Sequence, residues 1–212
     1  RPNHPLLALA ARRHAGLRLS QTALVMEALV PAILEQKVTG REASRAWRSL
    51  LLRFGDPAPG PAPDGMRVVP TPQRWASLPS WEWHRAGVGP NRSGTVVRAA
   101  RLARQLEDVA NRSGHEVESR LRTVPGIGAW TAAEVRQRAL GDPDAVSVGD
   151  FHLPRLVAYN LAGEERADDD RMLELLEPYS GQRYRACLLL ARVGSLPPRR
   201  APRLPVRDFR RI

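Results

Sequence analysis

The chain has 212 residues, enough for one sizeable domain or for two small lobes around a common core. Lysine and arginine number 33 against 22 aspartate and glutamate, and the resulting net charge of +11 favours a polyanionic partner such as nucleic acid. The single cysteine, Cys187, excludes an internal disulfide and a cysteine-ligated iron–sulfur cluster, and it is typical of a reducing compartment. The mean hydropathy is −0.38, and no apolar run approaches the roughly 20 residues that a membrane span needs.

The first predicted helix lies in the N-terminal quarter of the chain. Val25, Leu29 and Ile33 repeat at the four-residue spacing that places apolar side chains on one helix face. Pro31 predicts either a kink in this helix or the start of a second one, because proline cannot donate an interior helix hydrogen bond. The pattern ends before Gln36.

The next helix is predicted to begin at a capping box. Thr39 and Glu42 have the spacing at which two residues cap each other's backbone N–H groups. One apolar face follows, made of Ala43, Ala46, Trp47, Leu50, Leu51 and Phe54. Residues 55–65 are rich in proline and glycine and predict a surface loop.

Further helices are predicted after this loop. Thr71-Pro72 and Leu78-Pro79 each indicate the start of a short helix, and residues 91–106 predict a longer one. Three residues of the longer helix face inward: Val96, Ala100 and Ala103. Residues 184–192 predict the last helix. Because no segment alternates as a half-buried strand should, we expect an all-α protein.

Residues 193–212 form a basic tail rich in proline and arginine. From Arg192 to Ile212 there are seven arginines and one aspartate. Four prolines exclude a helix here, namely Pro197, Pro198, Pro202 and Pro205. A disordered tail and a DNA-contacting arm are equally compatible with this composition. We therefore take residues 1–192 as the folded domain.

The most informative segment is Leu121-Arg-Thr-Val-Pro-Gly-Ile-Gly-Ala-Trp-Thr-Ala132. Pro125 ends the preceding helix, and Gly126 and Gly128 flank one isoleucine, so the backbone can turn tightly and approach another molecule closely. The next helix then begins near Ala129, with free N–H groups and the positive end of its dipole facing outward. An ordinary connection between helices can contain two glycines, but the whole string is more specific. It predicts a hairpin in residues 121–132 that binds phosphate.

A second informative segment is Asp142-Pro-Asp-Ala-Val-Ser-Val-Gly-Asp150, which precedes another predicted helix. That helix is marked by Leu153, Leu156, Val157 and Leu161. The pattern places Asp150 at its N-cap. Taken alone, a purely capping aspartate is the more common explanation, because aspartate is a preferred N-cap residue. Taken together with the hairpin, a catalytic carboxylate is favoured.

With these two segments the sequence resembles the helix-hairpin-helix DNA glycosylases, and among them the bacterial 3-methyladenine DNA glycosylase II group. The resemblance extends from about Met26 to Arg192 and is strongest in residues 33–39, 54–56, 69–73, 124–132 and 141–153. It implies a two-lobed all-α fold with the active site in the cleft between the lobes. The family's additional N-terminal β domain is not visible, and because the chain opens at Arg1 without a methionine, that domain is either absent or trimmed.

The resemblance assigns catalysis to Asp150, near C1′ of the sugar, where a carboxylate stabilises developing positive charge. The target nucleotide must first leave the base stack, because its glycosidic bond is unreachable inside the duplex. Bifunctional members of the family carry a lysine at the position of Trp130, and Lys37 is the only lysine here. Schiff-base chemistry has no candidate at that position, so we expect a monofunctional enzyme without lyase activity.

Several residues are assigned to DNA by the same resemblance. Gln36 and Lys37 fall where the family inserts a side chain behind the flipped base, although an apolar or amide residue is more familiar there than lysine. Gly126, Gly128 and Thr131 would offer amides or a hydroxyl to phosphates. No cofactor is required, but a structural Na⁺ or K⁺ ion bridging to phosphate would be held by the backbone carbonyls of Arg122, Val124 and Ile127.

The base pocket departs from the family pattern. Trp130 would line the pocket and stack on a cationic alkylated base, unless it is a core tryptophan behind the hairpin. Glu134 occupies a position where an aromatic residue often lies, and its carboxylate would either favour cationic bases or be idle in solvent. The last helix, around residues 187–191, lacks the aromatic residue that related enzymes present to the base. His152 completes an Asp-x-His pattern and is expected to be structural.

These expectations describe a base-excision-repair glycosylase that removes alkylated bases such as 3-methyladenine. It would act as a monomer on double-stranded DNA, in the cytoplasm at the bacterial nucleoid, with no membrane partner. One alternative is a non-catalytic helix-hairpin-helix protein that recognises damaged or abasic DNA, which the altered pocket leaves open. Another is a bifunctional glycosylase/lyase of the endonuclease III type, which is disfavoured because the lysine and the cysteine cluster are missing.

Overall fold

The computed structural model describes residues 4–110 and 112–198. The α-helices in these ranges are α1 Pro5–Arg13, α2 Val25–Glu35, α3 Gly40–Phe54, α4 Pro72–Ser77, α5 Ser80–Arg85, α6 Pro90–Arg101, α7 Ala103–Glu107, α8 Gly114–Arg122, α9 Ala129–Ala139, α10 Leu153–Ala162, α11 Asp169–Leu176 and α12 Arg183–Val193, with a 3₁₀ turn at Glu177–Tyr179. Within the described ranges, extended pairing is limited to one isolated antiparallel bridge between Pro57 and Arg67. The prediction of an all-α fold is confirmed.

Local capping explains where two of the helices begin. At the start of α3, the Thr39 hydroxyl accepts the Glu42 N–H, and the Glu42 carboxylate accepts the Thr39 N–H at 2.7 Å. This is the predicted capping box. Ser113 and Glu116, which have the same three-residue spacing, form a second capping box at the start of α8. This second box was not predicted from the sequence. Each cap of this kind stabilises its helix by about 1 kcal/mol.

The single helix predicted over residues 91–106 is two helices. α6 ends before Leu102, whose N–H bonds to the carbonyl of Ala99 in a tighter turn than the α-helix uses, and α7 begins directly after it. The inward face was nevertheless predicted correctly, because three side chains on it are buried: Val96, Ala100 and Ala103.

Helix α2 lies at the centre of the larger of two hydrophobic cores. It is buried along most of its length and packs against α3, α6, α7 and α9. Pro31 lies within it without ending it, so a second helix does not begin there. The first two N–H groups of α2 donate to the Glu107 carboxylate at 2.8 Å each. At the other end, the buried guanidinium of Arg92 donates to the Leu34 carbonyl at 2.8 Å, and burial lowers the pKa of Arg92.

A second, smaller core joins the two ends of the described chain. Leu7 and Ala10 of α1 pack with buried side chains of the last three helices. These side chains are Val157, Met172, Leu176, Ala186, Cys187, Leu189 and Leu190. Helices α2 to α9 build the first core, whereas α1 belongs with α10 to α12. The chain therefore crosses between the cores twice, and the second crossing is the segment that follows α9 and carries Asp150.

The structure describes only the first residues of the predicted basic tail. Residues 199–212 fall outside the described residues, so neither the hypothesis of a disordered tail nor that of a DNA-contacting arm is tested there. Across the described ranges, none of the helices combines the length and the apolar character that crossing a lipid bilayer requires.

Candidate active site and nucleic-acid interface

The predicted hairpin is a tight turn between α8 and α9. Val124 and Ile127 are buried in the first core and anchor the turn from inside. Gly126 has a φ of 97°, a conformation that glycine adopts without the strain that a side chain would bring. A Cβ at Gly126 would also collide with the hydroxyl of Thr95 on α6. This glycine is therefore required by the turn itself.

Helices α2 and α6 hold the outer carbonyls of the turn. Arg98 donates from Nε and Nη2 to the Pro125 carbonyl at 3.2 and 3.0 Å. The side-chain amide of Gln36 donates to the Gly126 carbonyl at 2.9 Å and to the Thr131 hydroxyl at 2.8 Å. The hairpin is thus fixed in shape before any ligand arrives.

The start of α9 is open to the outside. Gly128 is its N-cap residue, and no side chain caps the first amides of the helix. Its backbone is extended, and a Cβ at this position would meet no atom within 4 Å. Exposed amides and the positive end of a helix dipole attract phosphate. Gly126 therefore shapes the turn, while Gly128 keeps the approach to the helix free.

Two of the residues assigned to DNA are hydrogen-bonded to each other within the protein. Thr131 is buried and its hydroxyl accepts from Gln36. Because accepting this bond does not use the hydroxyl proton, the predicted contact of Thr131 with DNA stays a prediction. The insertion of Gln36 into DNA does not fit this geometry, because its amide holds the hairpin. Lys37 is exposed and has a φ of 53°, a strained conformation that is concentrated at functional sites. Of the pair, Lys37 is the remaining candidate for insertion.

The Asp150 carboxylate lies just ahead of α10 and is held by three donors. Its Oδ1 accepts the backbone N–H groups of His152 at 2.7 Å and Leu153 at 2.8 Å, and its Oδ2 accepts the indole N–H of Trp130 at 3.2 Å. The N-cap position of α10 is His152, so the prediction that Asp150 itself is the N-cap residue is wrong by two positions. The carboxylate nevertheless caps the helix, and it is tied directly to the hairpin helix α9.

Asp150 borders a cavity of about 670 Å³ between α9 on one side and α10 and α12 on the other. This volume lies in the range of small-molecule sites, roughly 300–1,000 Å³. Its polar lining residues, besides Asp150, are Glu134, Gln137, Ser147, His152 and Tyr184. The apolar lining includes Leu153, Leu156, Leu188 and Cys187. Burial raises the pKa of the Cys187 thiol to about 12. Trp130 lies beside Asp150 rather than in this lining, so its stacking on a base stays a prediction.

Glu134 reaches the cavity from the second turn of α9. Its Oε1 accepts the Ser147 hydroxyl at 2.6 Å, and its Oε2 pairs with Arg138 Nη2 at 2.7 Å. Burial raises the pKa of Glu134, an effect that Arg138 and Ser147 oppose and that the negative charges of Glu35 and Asp150 reinforce. The Glu134 side chain is only 12% exposed. The structure therefore places Glu134 in the pocket rather than idle in solvent.

Known proteins resemble this chain in sequence, although no protein-family model matches it. It is 26% identical over 195 residues to the DNA-3-methyladenine glycosylase of Bacillus subtilis, covering 89% of this chain and 63% of that protein. It is 30% identical over 159 residues to a probable bifunctional transcriptional activator/DNA repair enzyme AlkA of Mycobacterium tuberculosis, covering 74% of this chain and 31% of that protein. The chain thus spans less than two thirds of either relative.

Solved structures share its fold. The 3-methyladenine DNA glycosylase from Archaeoglobus fulgidus matches with a TM-score of 0.75 at 22% identity, over 87% of this chain and 63% of that one. The Schizosaccharomyces pombe 3-methyladenine DNA glycosylase, bound to abasic DNA, gives 0.68 at 17% identity over 82% of each chain. The Clostridium acetobutylicum 8-oxoguanine glycosylase/lyase gives 0.72 at 14% identity over 89% of this chain and 66% of that one.

In sequence and in fold, the chain resembles the helix-hairpin-helix DNA glycosylases. The sequence relatives and the shared fold agree on this point, and the prediction made from the hairpin and the aspartate is confirmed.

The aromatic residue of the cavity comes from an unexpected place. The middle of α12 has no aromatic residue, as the sequence indicated, but Tyr184 in the first turn of the same helix lines the cavity. Burial raises the pKa of its phenol. The sequence prediction began the last helix at this tyrosine but did not assign it to the pocket.

Gln137 is a second residue that the sequence prediction missed. Its side-chain amide is buried and donates to the Ala145 carbonyl and to the Ser147 hydroxyl at 2.8 Å each. It thereby holds the loop that leads to Asp150. The available signal was its position three residues after Glu134, which places both side chains on the same face of α9.

The resemblance also implies a monovalent cation at the hairpin, and the backbone carbonyls there are of the kind that bind one. Arg122 is the last residue of α8, where carbonyls lack helical partners. The Val124 carbonyl accepts the Ile127 N–H at 3.0 Å and keeps a second lone pair. Carbonyl oxygens can replace the hydration shell of K⁺. Among the described side chains, no group of three or more His, Cys, Asp or Glu could hold a metal ion.

Proposed function

We propose that this chain is a base-excision-repair DNA glycosylase that hydrolyses the N-glycosidic bond of alkylated bases such as 3-methyladenine. The observation that carries the proposal is the Asp150 carboxylate, which three donors fix at the edge of a base-sized or larger cavity. The relatives from Bacillus subtilis and Archaeoglobus fulgidus support it, since both are called 3-methyladenine glycosylases.

The proposed chemistry uses one preorganised negative charge. When the glycosidic bond breaks, positive charge develops at C1′ of the sugar, and a carboxylate stabilises it in a site from which water is largely excluded. Asp150 Oδ2 accepts only the Trp130 indole among the described hydrogen bonds, so it keeps a lone pair for the sugar or for an attacking water. An alkylated purine carries its own positive charge and leaves readily, so a strong general acid is unnecessary.

DNA binding is assigned to the hairpin side of the molecule. The amides at the start of α9, from Gly128 to Thr131, would hold a backbone phosphate, with a Na⁺ or K⁺ ion on the carbonyls of Arg122, Val124 and Ile127 beside it. Lys37 would fill the gap behind the flipped nucleotide. The net charge of +11 favours a polyanionic partner. We propose that this partner is double-stranded DNA and that the enzyme acts as a monomer.

We further propose that the enzyme is monofunctional. Trp130 stands where lyases of the superfamily carry their lysine, and its indole is engaged with Asp150. Abasic sites should therefore accumulate while strands stay intact until alkali or heat is applied. Borohydride trapping checks this directly, because a trapped protein–DNA adduct together with nicking in the absence of alkali contradicts a monofunctional mechanism.

The proposed activity is tested by incubating the purified chain with methylated genomic DNA and identifying released bases by mass spectrometry. We expect 3-methyladenine in the soluble fraction with the parent protein and none with Asp150→Ala. One observation favours a second candidate, a non-catalytic protein that recognises damaged or abasic DNA: Asp150 Oδ1 is fully used in capping α10. Tight binding of abasic duplex without release of any base would decide for that candidate.

A further inference from the structure

The segment that follows α12, residues 194–198, is tied to α10 by one side chain. Asn160 Nδ2 donates to the Ser195 carbonyl at 2.8 Å, while Asn160 Oδ1 accepts the Ser195 N–H at 3.0 Å. The same nitrogen also donates to the Leu156 carbonyl one turn back in α10, at 2.7 Å. Both the NH₂ group and the oxygen of the Asn160 side-chain amide are therefore hydrogen-bonded within the protein. This reciprocal pairing fixes the backbone of the segment in one register.

Two neighbours of Ser195 reinforce the attachment. Gly194 lies so close to α10 that a Cβ would stand 2.6 Å from Asn160 Oδ1 and 2.6 Å from the Leu190 carbonyl. Pro197, on the other side, is buried. The segment therefore contacts the rest of the protein at Gly194, Ser195 and Pro197, although its composition had allowed a disordered tail from residue 193 onward.

The seated segment forms part of the cavity that Asp150 borders. Gly194 and Leu196 both belong to the cavity lining, alongside Leu156 and Leu188. The Leu196 side chain lines the cavity and is 47% exposed, so it lies where the cavity meets solvent. The rest of the lining comes from helices and from the loop held by Gln137.

We propose that Leu196, positioned by Asn160, determines the size of the base that the cavity accepts. The inference rests on the proposed glycosylase function, because it concerns the base site of that reaction. A wall that stands on a non-helical segment outside both cores, with its side-chain hydrogen bonds supplied by Asn160, is the part of the cavity that sequence changes can move with least effect on either core. Replacing Leu196 by a smaller residue enlarges the space available to a base, and a larger residue reduces it.

The test measures binding of two free bases to the full chain by calorimetry: 3-methyladenine, which is small, and 1,N6-ethenoadenine, which carries an additional ring. Leu196→Ala should shift the ratio of the two dissociation constants towards the larger base by about threefold or more, since one methylene in a pocket changes discrimination by roughly tenfold or more when fully enclosed. Leu196→Trp should shift the ratio in the opposite direction. Leu52→Ala is the matched control, because Leu52 is 48% exposed on α3 and outside the cavity.

Asn160→Ala tests the positioning role separately. It keeps the Leu196 side chain but removes both bonds that position the backbone at Ser195, so it should reproduce the shift of Leu196→Ala. Gly194→Ala should do the same, because its Cβ would push the segment away from α10. Thermal melting of each variant shows that the fold is retained. A ratio that stays at the parental value in the Leu196 variants, or that moves equally in Leu52→Ala, overturns the proposal, as does failure of the parent to bind either base. Base binding without excision of any base would instead overturn the proposed function alone.

Discussion

The helices on either side of the cavity begin in opposite ways. At the start of α9, Gly128 provides no side-chain cap and leaves open space in front of the first amides. At the start of α10, the Asp150 carboxylate accepts the N–H groups of His152 and Leu153, so this helix end already holds an anion of its own. One helix end is free to receive an external anion, whereas the other presents a fixed negative charge.

This difference divides two tasks that the proposed glycosylase would have to perform. A helix start without a cap attracts the phosphate of DNA. A carboxylate held by a helix start is already oriented, and its second oxygen can face positive charge that develops elsewhere. The indole of Trp130, in the first turn of α9, bridges the two sites by donating to Asp150 Oδ2. This hydrogen bond therefore holds the Asp150 carboxylate at a fixed position relative to the start of α9.

The largest effect is expected from Asp150→Asn, which removes the negative charge held at the start of α10. The rate of base excision should fall by about 100-fold or more, because electrostatic stabilisation of this kind contributes roughly 3 kcal/mol. An amide that keeps its oxygen towards the two backbone N–H groups turns its NH₂ group to the Trp130 indole, so the unfolding free energy should also fall by about 1 kcal/mol. Single-turnover kinetics and urea denaturation measure the two effects.

Trp130→Phe is the matched control for that variant. It loses the same hydrogen bond to Asp150 Oδ2 but keeps the carboxylate. If excision falls as far in Trp130→Phe as in Asp150→Asn, the loss comes from geometry and not from charge.

The two hairpin glycines should respond differently to the same change. Gly126→Val should lower the unfolding free energy by roughly 2 kcal/mol or more, because a side chain at positive φ is strained and would also collide with Thr95. Gly128→Val should fold normally, since nothing lies within 4 Å of its Cβ position, yet it should weaken binding to every duplex by blocking the approach of phosphate. Urea denaturation and fluorescence anisotropy separate the two results. Parental affinity in a folded Gly128→Val protein would remove the open helix start from the interface.

Lys37→Ala tests whether Lys37 fills the gap behind the flipped nucleotide or only contacts phosphate. Excision should slow several-fold more in a fully paired duplex than in a mismatched one, because extrusion of a mismatched nucleotide costs less. Arg41→Ala, another exposed cation a few residues further on, should affect both substrates equally. Equal losses in Lys37→Ala would identify Lys37 as a simple phosphate contact.

The smallest effect concerns Glu134, which lies in the cavity between the two helix starts. Burial raises the pKa of this carboxyl in the folded state, so the unfolded chain ionises first, near pH 4.3. The contribution of Glu134 to stability is then full below that pH and is lost as the pH rises through the raised value. Glu134→Gln lacks this loss, so its unfolding free energy should increase relative to the parent between pH 4 and pH 7. Glu27→Gln, at an exposed site, should follow the parent across the range.

Much of the fold could be predicted because its determinants are local. The capping box at Thr39, the apolar face of α3 and the start of α9 behind Gly128 each depend on residues within a few positions of one another. The split between α6 and α7 could not be predicted in this way. Leucine is a strong helix former, so nothing local at Leu102 indicates a break. Side chains of both helices pack in the first core, which is formed by residues distant in sequence.

The candidate site was predicted less completely, because its side chains are placed by contacts that are distant in sequence. The importance of Asp150 and of the hairpin followed from their motifs. That Gln36 holds the hairpin, 90 residues away, depends on how α2 packs against α9. The same applies to Tyr184, which reaches the cavity only because α12 faces α9 across it.

The most direct test of the division between binding and chemistry measures affinity and single-turnover excision together in Asp150→Asn and Gly128→Val. The structure predicts that Asp150→Asn binds abasic duplex with parental affinity and excises about 100-fold more slowly or worse, even at saturating protein. It predicts that Gly128→Val binds more weakly but recovers the parental excision rate once the DNA is saturated. Loss of binding in Asp150→Asn that matches its loss of rate, or slow excision by saturated Gly128→Val, would contradict this division.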